Sequence, residues 1–184
     1  MAILPPLRVL LDACVLANFG VCDLLLRLSE HPCLLSPFWT KDILDEVQHT
    51  QLNKLNWPSK LADSFRREVQ IAFPFSCIRN YDQHIPLLKN DPKDRHVLAA
   101  AIEGKIATVV TFNLKHFPQN FLAPWNVRAV HPQELLLLIA NEHPEQMRRT
   151  LSLIATRRKQ GIEEVLRHLK KSVPQFAVGA TNIY

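Results

Sequence analysis

Arg8-Val9-Leu10-Leu11-Asp12 places three aliphatic side chains directly before an acid. An apolar run of this kind is typical of a strand buried on both faces, at the centre of a parallel sheet. Ile106–Thr111 has the same character, and shorter apolar runs predict strands at Cys33–Ser36, Phe75–Arg79 and Trp125–Val130. The chain therefore contains the strands of one mainly parallel sheet.

Segments with helical spacing lie between these strands. Start signals for helices stand at Asn18, at Thr40 as an N-cap, and at Pro58, Pro92 and Pro132. Strands that alternate with helices predict an α/β domain over residues 7–142, with helices on both faces of the sheet. Residues 143–184 contain only helical signals, and we expect them to form a basic helical C-terminal extension.

This extension carries most of the positive charge. The whole chain has a net charge of +5 and a pI of about 9.2. Between Met147 and Lys171, eight basic residues stand against two acidic ones, so the rest of the chain is close to neutral. The pattern fits either a solvated helix face or a surface for RNA phosphates or an acidic partner protein.

The sequence favours a cytoplasmic protein. No apolar stretch approaches the roughly 20 residues needed to span a bilayer, and the first residues do not resemble a secretion signal. Cys14, Cys22, Cys33 and Cys77 lack C-x-x-C spacing, which predicts reduced, mostly buried thiols rather than disulfides. We therefore expect a cytoplasmic location and no membrane partner.

Polar side chains follow the two clearest strands. Asp12 ends the first run, and Thr111 and Asn113 end the second. In open parallel sheets the functional crevice lies beyond the carboxyl ends of the strands. Asp94 stands at the start of a helix and Glu46 on an earlier helix. Oxygen ligands that converge at one edge of the sheet would suit a hard divalent cation.

Most of these acids also have a purely structural interpretation. Asp94 could complement the positive end of a helix dipole, and Asp91 could be a simple N-cap. Glu46 could be a surface acid, or Asp45 beside it could take its place. Asp12 resists such an interpretation, because a carboxylate that closes a buried strand needs a cation or several donors.

Four segments, taken in order, resemble the motifs of PIN domains. They are LLDACVL (Leu10–Leu16), ILDEV (Ile43–Val47), NDPKDRHVLAAAI (Asn90–Ile102) and VVTFNLKHFP (Val109–Pro118). The resemblance covers roughly the first 140 residues, and the last two segments are its most specific parts. The sequence is most similar to the branch of bacterial PIN proteins that includes VapC-type toxins of toxin–antitoxin pairs.

This resemblance implies a three-layer α/β/α nuclease fold, RNA as the substrate, and Mg²⁺ or Mn²⁺ as the cofactor. Asp12, Glu46 and Asp94 fall on the acids that bind the metal in the family. Asp91 and Thr111 fall on accessory positions beside them.

The chain departs from the family pattern at three positions. Asn113 stands at a catalytic position where many members have a fourth acid, and its amide oxygen could bind a metal without adding charge. His116 also replaces a common acid, and Cys14 replaces an Asn or Ser. Since two carboxylates are missing, we expect one tightly held cation rather than two. Arg95, Lys115 and His116 are the candidate contacts to RNA phosphates, and Arg95 could instead serve as a structural ion-pair partner.

The function implied by the resemblance is that of a metal-dependent endoribonuclease, the toxin of a type II toxin–antitoxin pair. Its partners would be an RNA substrate and a cognate antitoxin protein, and we expect a homodimer. The missing fourth acid leaves an alternative of a different class, a catalytically weak PIN module that binds RNA or a partner protein without cleaving it. A PIN nuclease of RNA processing is a further alternative.

Other enzyme classes fit the sequence less well. A phosphatase of the haloacid-dehalogenase type would need a second Asp at position 14, where this chain has Cys14. A nucleotide-binding Rossmann domain would need a glycine-rich loop after the first strand, and Ala13–Leu16 provides none. The chain has no H-E-x-x-H motif, and we expect His84 and His96 on surfaces or helix caps.

Overall fold

A computed structural model of the chain describes residues 5–30 and 33–181. Its strands form one sheet in the order β3-β2-β1-β4-β5, and every neighbouring pair is parallel. The strands are β1 (Leu7–Leu11), β2 (Leu35–Thr40), β3 (Cys77–Ile78), β4 (Thr108–Val110) and β5 (Arg128–Val130). Val9, Leu10 and Leu11 are fully buried in the central strand β1, which confirms the predicted parallel sheet.

Helices cover both faces of the sheet. The α-helices of the described residues are α1 (Ala13–Leu16), α2 (Phe19–Ser29), α3 (Lys41–Asn53), α4 (Ser59–Ala72), α5 (Arg95–Glu103), α6 (Gln119–Leu122), α7 (Pro132–Glu142), α8 (Pro144–Arg158), α9 (Ile162–Leu169) and α10 (Pro174–Thr181). Short 3-10 helices lie at Asp82–Leu87, Pro92–Asp94, Leu114–His116 and Ala123–Trp125. α5 contacts β1, β2 and β4, and right-handed crossovers place α2, α3 and α4 on the opposite face. The result is the predicted three-layer α/β/α fold.

Strand β2 is longer than predicted. It was expected at Cys33–Ser36 but runs over Leu35–Thr40, through Pro37. Proline is excluded from the middle of a sheet because it cannot donate a ladder hydrogen bond. At Pro37, however, β2 pairs only with β1, since β3 begins its pairing at Trp39. The proline therefore occupies a local edge of the sheet, where no donor is required.

The outer strands are shorter than predicted. β4 begins at Thr108 rather than Ile106, because the Ile106 N–H donates to Ala101 O at the end of α5. β5 begins at Arg128 rather than Trp125, after a turn in which Asn126 has a φ of 54°. β3 keeps only Cys77 and Ile78 of the predicted segment. Turn geometry that the apolar pattern does not reveal accounts for the lost residues.

The C-terminal helices form the predicted helical extension, and they continue the core of the sheet domain. α7 ends at Glu142 and α8 begins at Pro144, so the predicted boundary falls between two helices. Met147 and Phe176 are fully buried in the same cluster as the sheet residues. α8 and α9 pack against α2, and Asn18 Nδ2 donates to Ser172 Oγ at 2.8 Å.

The cysteines and the helix lengths bear on the predicted compartment. The four cysteines are free thiols, as expected, but only Cys22 is buried and Cys33 is exposed. The expectation of mostly buried thiols was therefore wrong, because Cys33 lies in the loop before β2 rather than in the strand. Among the residues described, no helix has the length and apolar character needed to cross a bilayer.

Candidate active site

The strand order reverses beside β1, because the chain first moves outward through β2 and β3 and then returns to β4 on the other side. Parallel α/β sheets bind ligands at the carboxyl ends of the strands at such a switch point. An open cleft of about 520 Å³ lies there. It is lined by Asp12, Ala13, Cys14, Ala17, Asn18, Glu46, His49, Thr50, Lys54, Leu55, Asp94 and Asn113.

Asp12 is held firmly at the floor of this cleft. Asp12 directly follows β1 and is only 3% exposed. Its backbone N–H donates to Val110 O at 3.1 Å. The Thr111 hydroxyl donates to Asp12 Oδ2 at 2.6 Å, and the Cys14 thiol donates to the same oxygen at 3.0 Å. Among the described residues, Asp12 Oδ1 has no hydrogen-bond donor, so one carboxylate oxygen is fixed and the other is available to a ligand.

Cys14 remains a protonated thiol in this position. Burial, together with the neighbouring Asp12 carboxylate, raises the pKa of Cys14 to about 12. The thiol therefore acts as a donor to Asp12 rather than as a thiolate nucleophile. It also accepts from the Phe112 N–H at 3.3 Å, which ties the loop after β4 to the first turn after β1.

Asp94 faces Asp12 from the other side of the cleft. It stands at the N-cap position of α5, but its side chain makes no capping hydrogen bond. Its Oδ2 instead lies 2.8 Å from His116 Nδ1. Burial and the repulsion of Asp12 raise the pKa of Asp94 above its ordinary value, although His116 opposes this shift. An interaction with the dipole of α5 would therefore not explain why the Asp94 side chain points to His116.

Glu46, rather than Asp45, lines the cleft. Asp45 points away from it, with Oδ2 at 2.7 Å from Lys41 Nζ and Oδ1 at 2.6 Å from Arg66 Nη1. Lys41 and then Arg66 hold the pKa of Asp45 below its usual value. The choice between the two acids, which the sequence left open, is resolved by this pair of basic partners.

His96 supports Glu46, and its expected surface or cap position was wrong. The side chain is only 13% exposed, and its Nε2 lies 3.1 Å from Glu46 Oε1. Burial lowers the pKa of His96, but the Glu46 carboxylate outweighs burial and the net shift is upward. His96 follows Asp94 by two residues, so one turn of chain supplies an acid to the cleft and a partner to a second acid. His84 lies elsewhere, with Nε2 at 2.8 Å from Glu103 Oε2.

Of the remaining predicted site residues, Asn113 lies in the cleft and Asp91 lies beside it. Asn113 lines the cleft, and its N–H donates to the Thr111 hydroxyl at 3.0 Å. Asp91 is an N-cap, as one interpretation held, because its Oδ1 accepts from the Lys93 N–H at 3.0 Å. It also lies beside Asp94 and His116, since these three residues bring ligand atoms within 4.8 Å of one another.

The predicted RNA contacts are not gathered at one place. Arg95 Nε donates to Asn90 O at 3.2 Å, which is a structural contact. Lys115 is exposed on the 3-10 helix after β4. His116 contacts Asp94, as described above, so its Nδ1 is engaged by a carboxylate rather than free for phosphate.

Seven residues of the cleft were not predicted from the sequence. They are Ala13, Ala17, Asn18, His49, Thr50, Lys54 and Leu55. His49 and Thr50 follow Glu46 by three and four residues on α3, which puts all three on one face of the helix. That spacing was a usable signal. Asn18 gave none, because its side chain caps α2 by accepting from the Val21 N–H.

The donor set fits a hard divalent cation. Asp12, Glu46 and Asp94 supply carboxylate oxygens to one cleft, and such cations prefer oxygen ligands. Among the described residues, the ligand atoms that already lie within 4.8 Å of one another are those of Asp91, Asp94 and His116, so Asp12 and Glu46 would have to draw closer to Asp94 around a bound ion. Both aspartates are held through one oxygen by an uncharged donor or an imidazole. Supporting contacts of this kind orient metal ligands in proteins. Burial is the main cause of the raised pKa of Asp94, and the repulsion of Asp12 adds to it; a bound cation would relieve that repulsion.

Comparison with known proteins agrees with this geometry. A profile of the PIN domain family matches residues 8–115. A protein of Mycobacterium tuberculosis (strain ATCC 25618 / H37Rv) named "Putative ribonuclease VapC50" is 38% identical over 90 residues, which are 46% of this chain and 51% of that protein. The chain thus spans about half the length of this curated relative. No solved structure matches the chain. Since the profile covers more than half of the residues, the chain belongs to the PIN domain family.

Proposed function

We propose that this protein is a metal-dependent endoribonuclease and the toxin of a type II toxin–antitoxin pair. The observation that carries the proposal is the convergence of Asp12, Glu46 and Asp94 on one cleft at the switch point of the sheet. The mycobacterial relative, which is named "Putative ribonuclease VapC50", supports RNA as the substrate. A cytoplasmic location belongs to the same proposal, since RNA and an antitoxin would be met there.

Mg²⁺ or Mn²⁺ would be held by Asp12, Glu46 and Asp94, with Asn113 beside them. A bound divalent cation would supply Lewis-acid stabilisation of the charge that develops on the scissile phosphate. Hydrolysis adds water to phosphorus and breaks the bond to the 3′ oxygen, which leaves with a proton. The expected products are therefore a 5′-phosphate and a 3′-hydroxyl.

The protein's own side chains fix the geometry of the reaction. Thr111 and Cys14 direct Asp12 Oδ1 into the cleft by occupying Oδ2. His116 does the same for Asp94 from the opposite side. Lys54 lines the cleft as an exposed cation and can contact the phosphate next to the scissile one. Each group is placed before the substrate arrives, which is where preorganised electrostatic catalysis gains its advantage.

A cleavage assay on matched single-stranded RNA and DNA tests the activity. We expect the wild-type protein to cleave RNA with Mn²⁺ or Mg²⁺, to lose the activity in EDTA, and to regain it when the metal is restored. Asp12→Ala should abolish cleavage, because Asp12 is the most buried of the three acids. Cleavage that persists in EDTA and in Asp12→Ala would exclude this site.

A growth experiment tests the toxin role. Expression of this chain alone should arrest growth, and co-expression of a neighbouring gene product should relieve the arrest. Asp12→Ala is the matched control, since an inactive chain of the same fold should not arrest growth. If the soluble wild-type protein leaves growth unchanged, the toxin assignment is wrong. The mass of the purified protein in solution tests the proposed homodimer.

A second function is favoured by one specific observation. Asn113 and His116 occupy positions where the resemblance implies acids, so the cleft holds fewer negative charges than a full set would provide. A PIN module that binds RNA or a partner without cleaving it would fit this deficit. RNA binding without cleavage in Mn²⁺, followed by gain of cleavage in the double variant Asn113→Asp/His116→Asp, would favour this second function. A PIN nuclease of RNA processing would instead cleave RNA without arresting growth.

A further inference from the structure

Aromatic side chains extend the cleft along one rim. Phe19, Trp57 and Phe65 form this aromatic strip. Phe19 directly follows Asn18, and Trp57 stands two residues after Leu55; both Asn18 and Leu55 line the cleft. The strip therefore begins where the carboxylate site ends.

The aromatic strip is both ordered and open to solvent. Phe19 and Trp57 pack edge to face, with ring centroids 6.3 Å apart, and Trp57 and Phe65 do the same at 6.2 Å. The Trp57 backbone N–H donates to Gln51 O at 2.8 Å, which fixes the Trp57 backbone relative to the end of α3. Phe19 is nevertheless 53% exposed. A rigid phenyl ring that the core does not cover is available to a flat ligand.

Positive groups flank the aromatic strip. The Arg158 guanidinium lies over one face of the Phe19 ring, 4.9 Å from its centroid, and Asp23 anchors it there at 2.6 Å, so a base would stack on the opposite face. Lys54 lines the cleft next to Leu55, and its ammonium has no carboxylate partner within the part of the chain that the structure describes. An aromatic surface between cations complements a base that lies between two phosphates.

We propose that the aromatic strip binds an unpaired base of single-stranded RNA, one nucleotide removed from the scissile phosphate. This inference rests on the proposed function, because it assigns the base to the same substrate strand. Stacking on Phe19 would hold the base, Arg158 would stiffen the ring and attract the strand, and Lys54 would contact the phosphate between the strip and the carboxylates. The strip has cations beside it, and Phe19 directly follows the cleft residue Asn18, which favours a nucleotide strand over a protein helix.

This assignment requires the substrate to present an unpaired base to Phe19. A base that stacks on Phe19 must be turned out of a helix, so paired RNA should not reach the cleft in this way. Sequence-specific RNA recognition targets single strands, loops and bulges, whose bases are free to stack on aromatic side chains. Stacking on a single ring tolerates several bases, so specificity would lie in the shape of the loop as much as in its sequence.

Binding measured without metal tests the inference separately from catalysis. The probe is a fluorescein-labelled single-stranded RNA of about ten nucleotides, titrated in EDTA and followed by anisotropy. We expect Phe19→Ala to weaken binding at least about fivefold and up to about a hundredfold, and Phe19→Trp to restore it. Phe75→Ala is the matched control. Phe75 is 92% exposed and precedes β3, at the amino end of that strand and away from the cleft.

A second arm replaces the labelled RNA with an abasic strand of the same length. Phe19→Ala and the wild-type protein should bind the abasic strand equally well, since this strand has no base that could stack on Phe19. Quenching of Trp57 fluorescence by RNA, lost in Trp57→Phe, should accompany binding. Unchanged melting temperatures would show that the variants fold.

The outcomes separate this inference from the proposed function. If wild-type protein cleaves RNA and Phe19→Ala binds RNA within twofold of it, the inference is wrong and the function stands. If RNA binding depends on Phe19 but no cleavage occurs with any divalent metal, the inference stands and the nuclease function is wrong. If Phe19→Ala abolishes binding of a partner protein and leaves RNA affinity unchanged, the strip is a protein-docking surface and the inference is wrong.

Discussion

The two sides of the catalytic cleft hold their aspartates by different means. Asp12 follows a central strand, is buried, and receives uncharged donors from Thr111 and Cys14. Asp94 lies at the start of a helix, is partly exposed, and is held through His116 on a separate 3-10 turn. The sheet side is thus set by the packing of the fold, whereas the helix side depends on one contact between two separate segments. Changes on the sheet side should therefore cost more than equivalent changes in the partners on the helix side.

Among the substitutions that compare the two sides of the cleft, removal of the Asp94 charge should lower RNA cleavage the most. Asp94→Asn takes away a ligand to the cation, and we expect RNA cleavage to fall about a thousandfold, which corresponds to roughly 4 kcal/mol of lost transition-state stabilisation. The matched control is Asp91→Ala, which removes the N-cap contact to the Lys93 N–H. It should keep most of the activity and lower the free energy of unfolding by about 1 kcal/mol. Equal losses of cleavage in both variants would contradict the distinct role given to Asp94, because Asp91, whose ligand atom lies close to that of Asp94, would then matter as much.

Glu46 and Asp45 provide the next comparison, because they are neighbours with opposite surroundings. Glu46→Gln should weaken Mn²⁺ binding and cleavage by at least about tenfold, since the amide lacks the charge that the cation requires. Asp45→Asn should leave both unchanged, because Asp45 contacts Lys41 and Arg66 instead of the cleft. Its effect on unfolding should stay below about 1 kcal/mol, as is usual for exposed ion pairs. The reverse ranking in a Mn²⁺ titration would move the site to Asp45.

Substitution of Thr111 tests the sheet side of the site while all three proposed metal ligands stay unchanged. Thr111→Val removes the donor to Asp12 Oδ2, and we expect a loss of about 10- to 100-fold in metal affinity. Thr111→Ser keeps the hydroxyl and should retain the affinity. Thr108→Val, at a buried threonine within β4, controls for the change in side-chain chemistry. Identical metal affinity in all four proteins would contradict the role given to Thr111.

His116 tests the helix side and should give the smallest effect of the series. His116→Ala removes the contact to Asp94 Oδ2. Since the imidazole is 31% exposed and water can replace it, we expect no more than about a tenfold loss in metal affinity, at the low end for supporting residues. Isothermal titration with Mn²⁺ measures it. A loss larger than that of Thr111→Val would reverse the order of the two sides.

The sequence predicted the sheet side of the site well for a physical reason. Asp12 and Thr111 are adjacent to runs of buried aliphatics, and parallel strands bring their carboxyl ends to one edge. Their contact at 2.6 Å follows from the pairing of β1 with β4, a strand order that the sequence did not predict. The helix side was harder, because the direction of Asp94 depends on the 3-10 turn that carries His116.

Other parts of the site were beyond local patterns. Lys54 and Leu55 reach the cleft only because α3 ends beside it, and no periodicity reports where a helix end will lie in space. The choice of Glu46 over Asp45 depended on Arg66, which is 21 residues away in sequence. His96 was expected on a surface or at a helix cap. Its contact with Glu46 joins α5 to α3, and the pattern within either helix does not reveal it. Contacts between elements, rather than within them, account for each of these misses.

The central claim is that Asp12, Glu46 and Asp94 together hold one divalent cation. A Mn²⁺ titration of the full-length protein, followed by electron paramagnetic resonance of the free ion, tests it most directly. We predict saturation at one ion per chain for the wild-type protein and loss of this binding in Asp12→Ala, with the melting temperature of the metal-free protein preserved. Undiminished Mn²⁺ binding in Asp12→Ala, or no binding by the wild-type protein, would contradict the claim.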